Sequence, residues 1–356
     1  MRGKLLLFTS LLLLPLMATA QESPFDIVRV ADGVYAAIGK MTAPILIGSN
    51  AAIIVNEDDV LVVDTHYTPA AARALLAEIK KMTDKPVRYV VNTHWHNDHV
   101  QGNQAYFNVF PAPVEFISHH TTREDIQKKA IPSVAEQLAS MPQQVAQAEQ
   151  RLTQGVDAAG KPLTEEQKTQ QRAALERQKR YLEELKQLQI TLPTLTFERS
   201  LALHKAGRAI HILFFYKGHT RGDVVVWLPK ERVLVTGDLL TAQLPFPRDS
   251  YPSEWVKTLE AMGKIEFDQI IPGHGPVQQG KDHLNLVGEV IGTIVEQVRA
   301  AVSRGQSLED TKKAVIVEAF RQRVTGGQER LNAAFDQRVA GLIERTYWEL
   351  TGKLTD

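Results

Sequence analysis

The sequence contains no cysteine. That excludes disulfides, thiolate metal ligands and a lipid-modified N-terminal cysteine. Any metal must therefore be held by nitrogen and oxygen, which favours zinc or iron over copper(I). An excess of charge is missing too. Lysine and arginine together number 41, as do aspartate and glutamate, so nothing suggests nucleic acid as a partner. After the first twenty residues there is no apolar run long enough to span a bilayer. There is also no repeat, and no linker that would separate an independent domain.

What is present begins at the N-terminus. "MRGKLLLFTSLLLLPLMATA" has basic Arg2 and Lys4, an apolar run over residues 5–17, and Ala18-Thr19-Ala20 before Gln21. This is the order of a cleaved secretory signal, and the run falls short of the about 20 apolar residues of a membrane span. Residues 1–20 are expected to be removed. The mature chain would be soluble, periplasmic or secreted, and close to neutral, with 39 basic against 41 acidic residues once Arg2 and Lys4 are gone. At 356 residues the chain can hold one large domain or two ordinary ones.

The pattern from residue 27 to 65 is β, with "AAIIV" and "VLVVDT" forming a hairpin about "NEDD". Thr68 as N-cap and Pro69 at the first helical position open a helix in "TPAAARALLAEIKKM". "VRYVVNT" reads as a buried strand, so the order is that of a layered α/β protein. About residues 120–192 the composition changes. Thirteen glutamines fall between residues 121 and 190, and Thr164-Glu165-Glu166-Gln167 is a capping box before a weak stripe of Leu175, Leu182, Leu185 and Leu188. This predicts a solvated helical hairpin inserted into the domain, with "TQGVDAAGKP" as its turn. Four strands follow, "LTFERSLALH", "RAIHILFFY", "DVVVWLP" and "RVLVTGD", then a helix over residues 253–264 and a short strand "DQII". From residue 282 the sequence reads as helices, so residues 284–356 are expected to form a C-terminal helical extension packed on a main domain of residues 21–283.

Histidine is scarce, eleven in all, yet "VVNTHWHNDHVQGN" places His94, His96, Asp98 and His99 within six residues. His219 in "YKGHTRGD", Asp238 in "VLVTGDLL" and His274 in "IIPGHGP" stand at or beyond the ends of three further strands. Strand ends in an α/β sheet share an edge, so these loops can converge. Gly218, Gly237, Gly273 and Gly275 permit tight turns there. His94 and His96, two apart, point to one side of an extended segment. Asp98 and His99 lie past that point, where the chain turns, and face a second position. Three nitrogen ligands at one centre, with Asp98, His99 and His274 at another, suit the four-coordination of zinc. The remaining histidines have no such context and read as surface or core, and Trp95 reads as a packing residue.

"THWHNDH" followed by "GHT", "TGD" and "PGHG" resembles the metallo-β-lactamase-fold hydrolase superfamily, over residues 27–283 without the insert. The resemblance implies an α/β fold, a four-layer αββα sandwich. It implies that His94, His96 and His219 hold one zinc ion, that Asp98, His99 and His274 hold a second, that Asp238 bridges, and that Asp64 supports the ligand loop. Together with the signal-like N-terminus, it implies an exported dinuclear zinc hydrolase in which a metal-bound hydroxide, oriented by the catalytic Asp98, attacks the carbonyl of a small-molecule ester, thioester, lactone or β-lactam. The largest group of zinc β-lactamases has cysteine where Asp238 stands and a lysine that this sequence lacks after "GDLLTAQLPF". Aspartate there is similar to thioesterases, lactonases and phosphodiesterases. The alternatives are a mononuclear iron sulfur dioxygenase of the same fold, and a non-catalytic metal-binding protein whose glutamine-rich hairpin is an interaction surface.

Overall fold

A computed structural model describes residues 22–107, 109 and 113–354. The expected signal segment lies outside the described residues. The chain begins with antiparallel strands β1 (Phe25–Ala31) and β2 (Val34–Gly39), then the hairpin of β3 (Ala51–Val55) and β4 (Val60–Val63). Helix α1 (Pro69–Met82) starts where Thr68 Oγ1 accepts from the Ala71 N–H, with Pro69 in the first turn. It crosses over to β5 (Val87–Val91), which runs parallel to β4. A four-residue helix α2 (Asn97–Val100) leads to β6 (Glu115–His119).

The hairpin between residues 120 and 192 is helical, as its composition implied. Helix α3 (His120–Asp125) passes through a π-helical turn into α4 (Ile131–Gln154), which ends at Gly155 with φ 70°. Both halves of the capping box are formed at the start of α5 (Glu165–Leu185), and Leu175, Leu182 and Leu185 are its buried leucines.

The stretch "LTFERSLALH" is not one strand, contrary to expectation. It divides into β7 (Leu195–Phe197), parallel to β6, and β8 (Ser200–Lys205), antiparallel to β9 (Arg208–Leu213). These strands lie in different sheets, and the exposed Glu198-Arg199 is where the chain crosses between them. Both halves have strand composition, so the break has no local signature beyond that charged pair.

The second sheet continues with β10 (Val225–Leu228) and β11 (Val233–Gly237), then helix α6 (Pro252–Gly263), β12 (Gln269–Pro272) and β13 (Gln278–Gln279). The chain closes with helices α7 (Asp282–Ser303), α8 (Leu308–Ala314), α9 (Glu318–Thr325) and α10 (Asn332–Leu350). The first sheet has strand order β1 to β7 and the second β13-β12-β11-β10-β9-β8. Their inner faces meet in one core, where Ala52, Ile54, Leu61 and Val63 join Ile212, Val226, Val235 and Ile271. The outer face of the first sheet packs on α1 through Leu75 and Ile79. That of the second packs on α6, α7 and α10 through Trp255, Val290 and Leu342. Helix, sheet, sheet and helix form the expected αββα sandwich. Among the described residues, no helix is long and apolar enough to cross a membrane.

Candidate metal centre

The loops that leave β4, β5, β9, β11 and β12 meet at one edge of the sandwich. These strands belong to two sheets, so the edge is shared between layers. At the exit of β5 the backbone stays extended through His96, which precedes α2, and then turns. His94 and His96 consequently face one position, with ring centroids 4.7 Å apart, and Asp98 and His99 another.

The seven residues singled out in the sequence come together in two adjacent groups, His94, His96, His219 and Asp238, and Asp98, His99 and His274. His219 Nε2 stands 3.0 Å from His96 Nδ1 and 3.5 Å from Asp238 Oδ2. Asp238 Oδ1 turns the other way, 3.4 Å from His99 Nε2 and 3.3 Å from His274 Nε2. One carboxylate therefore addresses both groups. His274 Nε2 is also 3.2 Å from Asp98 Oδ2.

The donor set fits metal ions. His94 Nε2, His99 Nε2 and Asp238 Oδ1 are buried and make no hydrogen bond. Buried polar atoms without partners are rare and costly, and here they converge on the same two points. Electrostatics agree. Burial works against charge on His99, yet the carboxylates of Asp64, Asp98 and Asp238 outweigh it and draw positive charge to this position. Burial likewise opposes charge on His274, but Asp238 and Asp98 push its imidazole up to about 10. His219 shows the reverse. Burial, with His96 beside it, pushes it down to about 3, which leaves a neutral ring able to ligate.

Asp64 fixes the rings from behind. Its Oδ1 accepts from the Thr93 N–H at 2.8 Å, and its Oδ2 accepts from Thr93 Oγ1 at 2.8 Å and from His99 Nδ1 at 2.7 Å. Thr93 Oγ1 is in turn 3.1 Å from His94 Nδ1. Because the threonine proton goes to Asp64, the His94 Nδ1–H donates to Thr93. Both imidazoles then turn Nε2 toward the ligand groups, the orientation that outer carboxylates impose on metal-bound histidine. Asp64 and His66 hold left-handed φ angles of 60° and 69°, strained for residues with a Cβ. The strain is held by Asp64 N–H to Val91, Thr65 N–H to His99 and Gly102 N–H to His66. Asp64 caps no helix, since Thr68 does that.

Two glycines give Asp238 its room. A Cβ on Gly273 would lie 2.0 Å from Asp238 Oδ1, and one on Gly237, at φ 52°, would lie 2.4 Å from Thr93 Oγ1. Neither is interchangeable with alanine.

Sequence reasoning missed Asp249. Its Oδ2 accepts from His96 Nε2 at 3.0 Å, leaving Nδ1 of that ring for the first group. It follows "FPR" in a loop after β11, where an aspartate is an ordinary turn residue. The insert also reaches the site. Helix α4 borders a cavity of about 580 Å³ over the two groups, and Trp95 lines it as well as packing on Val100 and Ile126. That size suits a small molecule.

The family model for the metallo-beta-lactamase superfamily matches residues 45–133 and 156–274, more than half of the chain. Curated relatives include a linear primary-alkylsulfatase from a Pseudomonas species, 24% identical over 70% of this chain and 46% of that protein. A type 2 metallo-beta-lactamase from Bacteroides fragilis is 21% identical over 74% of this chain and 86% of that one. The chain thus spans under half the length of the alkylsulfatase. Among solved structures, a metallo-beta-lactamase from Pontibacter korlensis matches with a TM-score of 0.53 at 17% identity, covering 75% of this chain and 99% of that one. One from Hirschia baltica matches at 0.52 and 18%, covering 75% and 98%.

Proposed function

The chain belongs to the metallo-beta-lactamase superfamily, and from that premise we propose that it is an exported dinuclear zinc hydrolase of a small ester, thioester, lactone or β-lactam. The observation that carries this reading is the pair of ligand groups sharing Asp238 beneath an open cavity. His94, His96 and His219 would hold one ion, Asp98, His99 and His274 the other, and Asp238 both. When bound, zinc supplies Lewis acidity and a water acid enough to give a nucleophile near neutral pH.

The chain's own residues do the rest. His99 and His274 outweigh the effect of burial on Asp98 and hold its carboxylate ionised. Asp98 is therefore ready to accept a hydrogen bond from the attacking water and to orient it toward a carbonyl in the cavity. Asp64 and Asp249 keep His99, His94 and His96 in register, so the site is formed before substrate arrives. Trp95 and Phe246 line the cavity and offer apolar surface to the substrate body.

The test is metal analysis with a hydrolysis screen of the zinc-loaded protein. The screen covers lactams, lactones, thioesters and phosphodiesters, and the alkylsulfatase likeness adds sulfate esters. The expected result is about two zinc ions per chain, by the ligand count of two four-coordinate sites, with hydrolysis lost in His96→Ala. One iron ion per chain, with oxygen uptake on a persulfide, would replace this reading by the dioxygenase. Export is supported by the signal-like N-terminus and is checked by sequencing the N-terminus of the secreted or periplasmic protein, expected at Gln21.

A further inference from the structure

One wall of the cavity comes from the helical insert. Ser133, Glu136, Gln137 and Ser140 of α4 line it, at the three- and four-residue spacings that share a helix face. Ser133 Oγ accepts from Asn97 Nδ2 at 2.8 Å, so this face begins in contact with the run that carries the ligands. Gln137 lies one helical turn further on.

Gln137 is held by two phenols. Its Oε1 is 3.1 Å from the Tyr67 hydroxyl and 2.9 Å from that of Tyr181. The Tyr181 hydroxyl also lies 3.0 Å from the side-chain amide of the fully buried Gln101. Tyr181 has a single proton, so one of the two amides must give it an N–H. With its oxygen toward Tyr181, Gln101 leaves Nε2 buried and unpaired. Turned about, it donates to Tyr181 and leaves only a carbonyl oxygen unpaired, the smaller penalty. Tyr181 and Tyr67 then both donate to Gln137 Oε1. Reversing Gln137 instead would send the Tyr181 proton to Gln101 Oε1 and leave the buried Gln101 Nε2 unpaired. The two phenol rings are in contact, with centroids 4.8 Å apart, which holds the arrangement. The Nε2 of Gln137 has no protein partner among the described residues, and the side chain borders the cavity.

We propose that Gln137 is a specificity-determining residue, whose amide N–H groups hold a hydrogen-bond acceptor such as an amide carbonyl on the part of the substrate remote from the bond that is cut. This rests on the hydrolase reading above. The insert is then part of the recognition machinery of the site, and Tyr67, Tyr181 and Gln101 are the residues that aim it.

The test uses the zinc-loaded full chain and three hydroxamates of equal length, titrated calorimetrically. They are 4-acetamidobutanohydroxamate with an amide carbonyl, heptanohydroxamate with neither donor nor acceptor in its tail, and 6-aminohexanohydroxamate with an ammonium. The wild type should bind the acetamido compound about fivefold more tightly than the heptano compound, the yield of one hydrogen bond. Gln137→Glu keeps both tyrosine bonds, because a carboxylate accepts them, but turns the free arm into an acceptor. It should lose the acetamido preference and bind the ammonium compound more tightly than the wild type does, with zinc content unchanged. A residue needed only for packing would not reverse the preference. Equal wild-type binding of the acetamido and heptano compounds overturns the proposal, as does a Gln137→Glu variant that binds the ammonium compound no more tightly than the wild type. Failure of all three to bind overturns the metal-centre reading and this proposal with it.

Discussion

His96 Nε2 and Asp249 Oδ2 stand 3.0 Å apart across 153 residues of sequence. The ring is 13% and the carboxylate 22% exposed, so the contact is partly sheltered from solvent. It selects which nitrogen of His96 faces the first ligand group.

Asp249→Ala should therefore weaken zinc binding by about 10- to 100-fold while the fold persists, the usual cost of losing an outer partner of a ligating histidine. Competition with a chromophoric chelator measures it. Unchanged affinity would show that the contact does not orient His96.

Asp64→Ala should be more damaging. It strands the buried Thr93 N–H and hydroxyl and the His99 Nδ1–H at once. Leaving buried donors unpaired costs about 1–3 kcal/mol each before non-additivity. Chemical denaturation of the metal-free protein should show the loss, because it does not depend on bound zinc. Asp64→Asn keeps one acceptor and should fall between the two.

Gly273→Ala separates the metal centre from the fold. The new Cβ meets Asp238 Oδ1 at 2.0 Å in a loop beside the site, so the carboxylate must move. Zinc content should fall while the circular dichroism spectrum is retained. A variant with full zinc content would mean that the loop yields and Asp238 does not.

Removing the metal should lower the melting temperature, since ions that bind only the folded chain stabilise it by about 2.7 kcal/mol at a concentration 100 times the Kd. Chelation followed by readdition of zinc should lower and then restore the transition. An indifferent melting temperature would argue against ions at the buried groups.

The pH dependence of stability should include a contribution from His119. Burial, with the imidazole of His120 nearby, pushes it down to about 4, against about 6.5 in the unfolded chain. Between those values the unfolded state takes up a proton that the folded state does not. Stability is thus full above about 6.5 and falls as the pH drops toward about 4. His119→Asn should flatten this part of the profile for the metal-free protein, and an unaltered slope would rule His119 out as its source.

Much of this could be read from local pattern. Apolar runs of four or five residues gave β3 and β4, valine-rich segments gave β5 and β11, and Thr68-Pro69 and the Thr164–Gln167 box marked the starts of α1 and α5. These signals depend on neighbours along the chain, and so does the spacing that directs His94 and His96 one way and Asp98 and His99 another. The division of β7 from β8 was hidden because either half pairs equally well as a strand. Only the second sheet's demand for a partner to β9 decided it.

The sequence by itself determined the chemistry available, nitrogen and oxygen ligands on loops at strand ends with no thiol among them. The tertiary structure alone decided who stands behind those ligands and who stands over them. Asp249 comes to His96 from an unremarkable loop, and Gln137 comes to the cavity from a helix whose composition reads as solvated surface. Neither placement has a local signature, because each depends on two sheets and a helical insert meeting at one edge, and that meeting is a property of packing.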